Sequence, residues 1–167
     1  IKPFPLDGDV KDWPSVQFIL RGSADQYGDK YAEWRLMSQG YGLFTTGAIR
    51  DVQNRLTGVA VVGSTDRRVI ERLNRDSLAA ITFYGRDGKI IGTTLPYVNL
   101  DSGADIAGND ERFNRLRQLD REQVIGFILR RNISIGERLY AEILGALEVR
   151  KLPGVILGVA LPADYIG

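Results

Sequence analysis

The stretch LFTTGAIRDVQNRLTGVAVVGSTDRRVIERLNRDSLAAITFYGRDGKIIGTTL, residues 43–95, decides the fold class. It opens with two strand-like runs, 43–51 and 57–65, which the polar turn VQNRL joins into a predicted β-hairpin. Residues 66–77 place apolar side chains on one helical face, which predicts an amphipathic helix of about three turns; these side chains are Val69, Ile70 and Leu73.

A second hairpin is predicted directly after this helix. The runs 78–84 and 89–95 flank Asp87-Gly88, a strong short-range turn signal. Apolar and more polar side chains alternate along the first of these strands, which predicts one buried face and one more polar face. The apolar positions are Ile81 and Phe83, and the polar ones are Thr82 and Tyr84.

The remaining segments flank this central stretch. Upstream, 13–20 is predicted to be a short helix with Pro14 in its first turn, and 31–51 reads as extended structure. Downstream, the prediction is a loop, a helix and three strands, at 96–108, 109–121, 122–129, 137–151 and 155–161. Segment 137–151 also satisfies helical spacing, but LPG at 152–154 turns the chain into VILGVAL and favours a third hairpin.

The resulting order predicts an α+β fold in a single domain, residues 1–167, with an irregular start over 1–12. Its PAS-like or profilin-like core is an antiparallel sheet of five to six strands flanked by helices. The first residues read as a cut edge, so we expect a fragment of a longer membrane protein.

Composition excludes several classes of protein. The chain has no cysteine and no histidine, so thiol chemistry, structural zinc held by thiolates and a Ser-His-Asp site are excluded. With 22 basic and 21 acidic residues, the net charge is +1, and no global field attracts nucleic acid. We expect no cofactor, no metal and no nucleic-acid partner.

Several local patterns resemble the Cache family of bacterial sensing domains, over roughly residues 13–166. They are GDK at 28–30, TTG at 45–47, GVAVVGST leading into VIERLNRDS, ITFYGRDGKIIGTTLP, and the late GVILGVALPADYI. The resemblance implies an extracytoplasmic, PAS-like sensor domain of a transmembrane receptor, without catalytic activity. It also implies an extracellular or periplasmic location, with membrane contact only through segments outside this sequence.

The sequence departs from this family in two respects. The long first helix of such domains is absent from residues 1–40, so it lies upstream or the chain is the membrane-proximal half of a double module. The family's amino-acid signature orders Tyr, Arg, Trp, Tyr and Asp, whereas Tyr31, Trp34 and Arg35 stand in another arrangement. We therefore infer no amino-acid ligand from the sequence.

Such sensors hold their ligand between the sheet and the segments that cover it. A small acid or polar metabolite needs arginine for its carboxylate and hydroxyl groups for orientation. The candidate ligand-binding residues are Tyr41, Thr45, Thr82, Tyr84, Thr94, Tyr97, Arg138 and Tyr140.

Three functions are compatible with these residues. The first is small-molecule sensing that signals across the membrane to a cytoplasmic kinase, cyclase or chemotaxis output, with a homodimer in the full-length receptor. The second is a PAS- or profilin-like scaffold that binds proteins and no small molecule. The third, a histidine-free enzyme, requires a carboxylate pair in a cleft, and the sequence shows no such pair.

Overall fold

The computed structural model describes residues 9–38, 40–85, 88–96, 98, 128–149 and 152–165. The chain folds as two compact units, Ile1–Thr65 with Glu148–Gly154 and Asp66–Leu147 with Val155–Gly167. Both units are built from antiparallel strands with a helix beside them, so the predicted α+β class is confirmed. No helix among the described residues is long and apolar enough to cross a membrane.

The first unit contains a three-stranded antiparallel sheet in the order β1-β2-β3. Its strands are β1 (Tyr31–Met37), β2 (Gly40–Arg50) and β3 (Leu56–Thr65). The hairpin predicted over 43–65 is therefore confirmed, and the extended segment before it supplies the additional strand β1.

Helix α1 (Pro14–Leu20) packs on one face of this sheet through an apolar cluster. Trp13 meets Phe44 edge-on, with ring centroids 4.9 Å apart. Gly63 leaves room for the Phe44 ring, because a Cβ there would lie 2.6 Å from a ring carbon. Burial of this aromatic pair fixes the helix on the sheet.

A buried carboxylate from the sheet also holds the beginning of α1. Trp13, at the N-cap, makes no side-chain capping bond. Instead, Glu33 accepts hydrogen bonds from the Ser15 hydroxyl at 2.5 Å and from the Ser15 backbone N–H at 3.3 Å. Since the first N–H groups of a helix have no partner within it, Glu33 has a structural role in this unit.

The second unit contains most of a five-stranded antiparallel sheet in the order β5-β4-β8-β7-β6; the last residues of β7 and the first residues of β8 belong to the first unit. Its strands are β4 (Ala80–Tyr84), β5 (Ile90–Thr93), β6 (Ile128–Ile135), β7 (Arg138–Val149) and β8 (Leu152–Pro162). This number agrees with the predicted core, while the strands of the first hairpin belong to the separate three-stranded sheet. The short 3₁₀ helix Ala163–Tyr165 follows β8.

Helix α2 (Asp66–Ser77) packs against β4 and β5, as its apolar face predicts. Ile70 is its buried residue, and it lies against Gly92, where a Cβ would come 2.6 Å from the Ile70 Cδ1. We call the side of the sheet on which α2 lies the open face; among the described elements, α2 packs there against β4 and β5. The opposite side, which carries Tyr84, Glu142 and Gly158, is the covered face.

Several predicted boundaries change. The loop and helix predicted over 96–108 and 109–121 lie almost entirely outside the described residues. Strand β6 continues to Ile135, well beyond its predicted end at residue 129. The ambiguous segment 137–151 is a strand, as chosen from the sequence, and Pro153-Gly154 lies inside β8.

The sequence predicted one buried face and one more polar face on β4, and in the structure the more polar face is buried as well. Thr82 and Tyr84 are both fully buried, like the apolar residues that alternate with them. The physical reason is that both hydroxyls find hydrogen-bond partners on the same face of the sheet, which removes the main penalty for burying them.

Candidate functional site

Three polar side chains meet on the covered face of the five-stranded sheet. Glu142 on β7 accepts a hydrogen bond from Arg131 Nε at 2.7 Å and another from the Tyr84 hydroxyl at 2.8 Å. Arg131 Nη2 donates to the same hydroxyl at 3.0 Å, which closes a ring of three bonds. We call Tyr84, Arg131 and Glu142 the polar cluster.

The cluster contains an ion pair withdrawn from solvent. The side chains of Arg131 and Glu142 are 3% and 0% exposed. A buried ion pair of this kind pays a large desolvation penalty, and replacement by apolar residues of similar size is often neutral or stabilising. The sheet therefore gains little stability from this pair relative to an apolar core, which makes a functional role the better explanation.

The strand pattern explains how these groups come together. Along β6 the side chains alternate strictly between exposed and buried, so of two adjacent arginines Arg130 is exposed and Arg131 is buried. Arg131 is also directly opposite Glu142 in the register of β6 and β7. Directly opposed side chains on neighbouring strands lie within contact distance, so the register alone creates the ion pair.

Gly158 on β8 makes space for the cluster. This strand lies between β4 and β7, which carry Tyr84 and Glu142. A Cβ at Gly158 would lie 3.0 Å from Tyr84 Cε2 and closer still to Glu142 Oε1. The missing side chain therefore lets groups from two non-adjacent strands bond across the central strand.

Burial is the largest cause that raises the pKa of Tyr84, and the negative charge of Glu142 raises it further. Arg131 acts in the opposite direction but does not offset these two effects. The phenol therefore keeps its proton at neutral pH and remains a donor to Glu142.

Apolar groups surround the cluster on its own face. One buried group contains Leu129, Leu144 and Ile156 beside Tyr84, and another contains Ile133, Tyr140 and Ala160. A second polar contact lies on the same face, where the hydroxyls of Thr82 and Thr93 are 2.7 Å apart. Polar groups confined to a few positions in an apolar setting are typical of small-molecule sites.

Four candidate residues from the sequence point to this covered face. Thr82 and Tyr84 are buried there, and Tyr140 is buried in the neighbouring apolar group. Arg138 lies at the beginning of β7 in the same alternation, with a half-exposed side chain 3.9 Å from Asp164. Of the four, Tyr84 belongs to the polar cluster.

Of the other four candidates, three are described by the structure and none of these three joins the polar cluster. The Thr94 hydroxyl accepts a hydrogen bond from the Ile81 N–H and so extends the backbone pairing of β4 and β5. Tyr41 and Thr45 lie on β2 of the first unit, on the face opposite Phe44. Tyr97 lies outside the described residues.

Sequence reasoning missed the two charged members of the cluster as ligand-binding residues. Arg131 is in phase with Leu129 and Ile133, and Glu142 is in phase with Tyr140 and Leu144. A charged residue at the buried phase of an alternating strand is the signal that would have found both of them. This signal can be used only when the extent of β6 is known, and the sequence predicted its end at residue 129 instead of Ile135.

A groove of about 440 Å³ lies on the open face. Its lining side chains come from β6, β7 and β8 and are mostly aliphatic. They are Arg130, Asn132, Ala141, Ile143, Val159 and Leu161, and Arg131 and Glu142 border the same groove.

In structure, the chain is similar to ligand-binding domains of bacterial chemoreceptors. That of Campylobacter jejuni Tlp3, in complex with 4-methylisoleucine, has a TM-score of 0.49 and 13% identity, covering 96% of this chain and 56% of that chain. That of Pseudomonas fluorescens CtaA, in complex with L-isoleucine, has a TM-score of 0.45 and 13% identity, covering 96% and 61%. The periplasmic sensory domain of Campylobacter jejuni Tlp1 has a TM-score of 0.44 and 13% identity, covering 92% and 55%.

The chain thus spans less than two thirds of each of these solved domains. They are sensory domains of bacterial receptors, the class that the sequence resemblance named. No family model matches the chain, and no curated protein matches it significantly.

Proposed function

We propose that this chain is a periplasmic sensing domain that binds a small polar molecule on the covered face of its five-stranded sheet. The observation that carries the proposal is the polar cluster, a buried ion pair joined to a tyrosine hydroxyl. Buried titratable groups with specific charge partners are enriched at functional sites. In a purely structural core, apolar residues of similar size would give equal or greater stability.

The chemistry of the cluster favours a ligand with both acceptor and donor groups. Arg131 presents a planar guanidinium suited to a carboxylate, and Glu142 accepts hydrogen bonds from hydroxyl or ammonium groups. The hydroxyls of Thr82 and Thr93 add two more polar groups on the same face. A small hydroxy acid or a similar polar metabolite matches this set.

Strand β8 links the polar cluster to the last described residues of the chain, and we propose that it transmits the signal. It is the central strand, it contributes Gly158 to the cluster, and it runs on to Pro162 and the 3₁₀ helix Ala163–Tyr165. A ligand that separates Arg131 from Glu142 displaces the groups packed over Gly158 and so shifts the population of β8 geometries. We propose that β8 carries this shift towards the membrane-bound part of a receptor and its cytoplasmic output.

The same solved domains that resemble this fold hold bound amino acids in the Tlp3 and CtaA structures. The amino-acid signature is missing from this sequence, and Arg35 is already engaged with Glu33 and stacks on Trp13. We therefore propose a small organic acid ahead of an amino acid as the ligand.

A thermal-shift screen against organic acids, amino acids, purines and sugars tests the proposal. A ligand present at 100 times its dissociation constant stabilises the protein by about 2.7 kcal/mol, which raises the unfolding midpoint measurably. We expect an organic acid to raise the midpoint of the wild type and to have no effect on the double variant Arg131→Met/Glu142→Leu.

The control is Arg67→Gln, which removes a surface ion pair with Glu71 on α2 and leaves the sheet unchanged. It should respond to the ligand like the wild type. A midpoint shift that survives in the double variant would place the ligand elsewhere. Silence across the whole panel would contradict small-molecule sensing and favour the protein-binding scaffold.

A further inference from the structure

Strand β3 has the properties of an edge that pairs with another strand. It is the outer strand, next to β2, of the three that the structure describes in the first sheet. The backbone N–H and C=O groups of an outer strand that point away from the sheet can bond to a further strand. Proteins commonly protect such an edge with charge, proline or a short strand. Leu56–Thr65 is ten residues long and contains neither a charged residue nor a proline.

The middle of β3 is open to solvent on both faces. Ala60 and Val62 are exposed on one face and Gly63 is exposed on the other. The side chain of Val62, an apolar residue, is 68% exposed. The pairing of β3 with β2 is regular along Gly58–Thr65, so no bulge bends the edge there. This strand therefore presents a straight and uncharged edge.

The residues of β3 are distributed almost symmetrically about its centre. Residues 57–65 read TGVAVVGST, with threonine at both ends and valine and alanine in the middle. In a symmetric antiparallel pair of identical strands, opposed residues lie on the same face, so the two-fold axis passes through one residue that lies opposite itself. With the axis at Val61, Ala60 lies opposite Val62, Thr57 lies opposite Thr65, and each remaining pair contains a glycine.

From these features we propose that β3 pairs antiparallel with β3 of a second copy of this chain, centred on Val61. The three-stranded sheets of the two copies then form one continuous sheet. Opposed β-branched side chains and opposed threonines stabilise such a pair, and no charge along the strand opposes it. The contact is isologous, so the assembly closes at two copies.

The symmetry of the strand favours a second copy over a different protein. An unrelated peptide that adds a strand to this edge requires no symmetry in β3, whereas a two-fold pair does. A pair of single strands gives a small interface, so we expect a weak dimer that depends on concentration.

This dimer does not depend on the proposed sensing site. Strand β3 belongs to the first unit, and Tyr84, Arg131 and Glu142 belong to the second. Substitutions on β3 leave the residues of the polar cluster unchanged. Failure of the dimer and failure of ligand binding are therefore distinguishable.

Sedimentation velocity of the whole chain between about 10 µM and 1 mM tests the proposal. We expect the wild type to change from monomer to dimer in this range. Val62→Lys places two ammonium groups at diagonal positions about 7–8 Å apart across the axis, and Ala60→Glu does the same with two carboxylates. Each should weaken dimerisation at least tenfold, which corresponds to about 1.4 kcal/mol.

Leu36→Lys is the matched control for these single variants. Leu36 is 66% exposed, and it lies on the same face of the sheet as Val62 but on β1, the outer strand at the other side. The substitution adds the same charge to a similarly exposed apolar position. We expect it to leave dimerisation unchanged.

The double variant Ala60→Glu/Val62→Lys tests the register. With the axis at Val61, the new carboxylate of each copy lies opposite the new ammonium group of the other copy. Opposite charges at directly opposed positions attract, so we expect the double variant to recover most of the dimerisation that the single variants lose. An equal mixture of the two single variants should also associate more strongly than either alone.

Four results would overturn the proposal. The first is a wild type that stays monomeric up to about 1 mM. The second is an equal effect of Val62→Lys and Leu36→Lys, and the third is a double variant as weak as the single ones. The fourth is slow amide exchange along the outer side of β3 that does not change with protein concentration, since the edge is then already paired within one chain.

Discussion

Both sheets bury a glutamate, and the two carboxylates are held in different ways. In the three-stranded sheet, Glu33 accepts hydrogen bonds from the hydroxyl and N–H of Ser15 and from Arg35 at 3.2 Å. The Arg35 side chain is 34% exposed, so this pair remains in contact with water. Glu33 thus combines a helix cap with a half-exposed ion pair.

In the five-stranded sheet, Glu142 bonds to no helix end among the residues that the structure describes. Its partners are Arg131, which is buried with it, and the hydroxyl of Tyr84. The difference shows that burial of a charge does not by itself indicate function. Glu33 stabilises a local structure that needs an acceptor, whereas Glu142 requires a buried partner of its own, and this requirement marks the candidate site.

The largest expected effect comes from removing the buried partner. Arg131→Met leaves Glu142 uncompensated inside the sheet, which should lower the free energy of unfolding by about 3–5 kcal/mol. Arg35→Met, the matched change at the other glutamate, should cost under about 1 kcal/mol because the pair is partly solvated and Ser15 remains. Urea unfolding of both variants measures the difference.

The double variant Arg131→Met/Glu142→Leu sharpens the same comparison. It removes both buried charges, so we expect it to recover most of the stability that Arg131→Met loses. Equal losses in Arg131→Met and Arg35→Met would contradict the distinction between the two carboxylates.

Gly158→Ala should have the next largest effect. The added methyl group collides with the Glu142 carboxylate and with the ring of Tyr84, so we expect a loss of about 1–3 kcal/mol in urea unfolding. Gly58→Ala is the control, because a Cβ there meets Ile49 at an ordinary 3.7 Å. If Gly158→Ala is as stable as Gly58→Ala, the cluster accommodates an extra methyl group, and the prediction of a steric collision at Gly158 is wrong.

Tyr84→Phe should cost about 1–2 kcal/mol at neutral pH, because it removes one partner from Glu142 and one from Arg131. Its pH dependence has a defined sign. The folded-state pKa of Tyr84 is raised above its usual value near 10, so the contribution of the phenol is complete below about pH 10. Above that pH the unfolded chain loses the proton first, and stability falls.

Relative to Tyr84→Phe, the wild type should lose about 1.4 kcal/mol per pH unit above pH 10. Urea unfolding of both proteins between neutral and alkaline pH measures this slope. Comparing the two proteins cancels the titration of the other tyrosines and of the lysines. A constant difference across the alkaline range would mean that the phenol is not buried beside Glu142.

The smallest effect is expected at the other glutamate. Ser15→Ala removes the hydroxyl that donates to Glu33 but leaves the backbone N–H, so we expect a loss of about 1 kcal/mol and faster amide exchange in the first turn of α1. Ser77→Ala, at an exposed hydroxyl that donates to Leu73 O and accepts from the Ala79 N–H, is the control and should leave amide exchange in α1 unchanged. Unchanged exchange in α1 after Ser15→Ala would show that Glu33 does not hold this helix.

Local pattern predicted most of the secondary structure. The alternation in 43–65, the apolar face of Val69, Ile70 and Leu73, and the hairpin from residue 137 to residue 161 each depend on neighbours in sequence, and all three are confirmed. The end of β6 was wrong because Arg130 and Arg131 break the apolar alternation. From the sequence alone, a charged residue at a buried strand position is interpreted as the end of the strand, because its partner on the neighbouring strand is not known.

The candidate site could be predicted only in part. Tyr84 and Thr82 were selected as polar residues on a hairpin, and they do lie on the covered face. Arg131 and Glu142 were not predicted as site residues, because their pairing depends on the register between two strands. The sequence of one strand does not contain that register. Tyr41 and Thr45 were included although they lie in the other sheet, since residue type does not report which strands are neighbours.

The sequence by itself determined the α+β class, the positions of most strands and of both described helices, and the absence of thiol and imidazole chemistry. It did so because periodicity and composition are local properties of a chain. Only the tertiary structure decided that the strands divide into two sheets, that β4 pairs with β8 far along the chain, and that Arg131 and Glu142 meet over Gly158. These pairings are decided by register and packing between distant segments, and their energies appear only when the whole sheet is assembled.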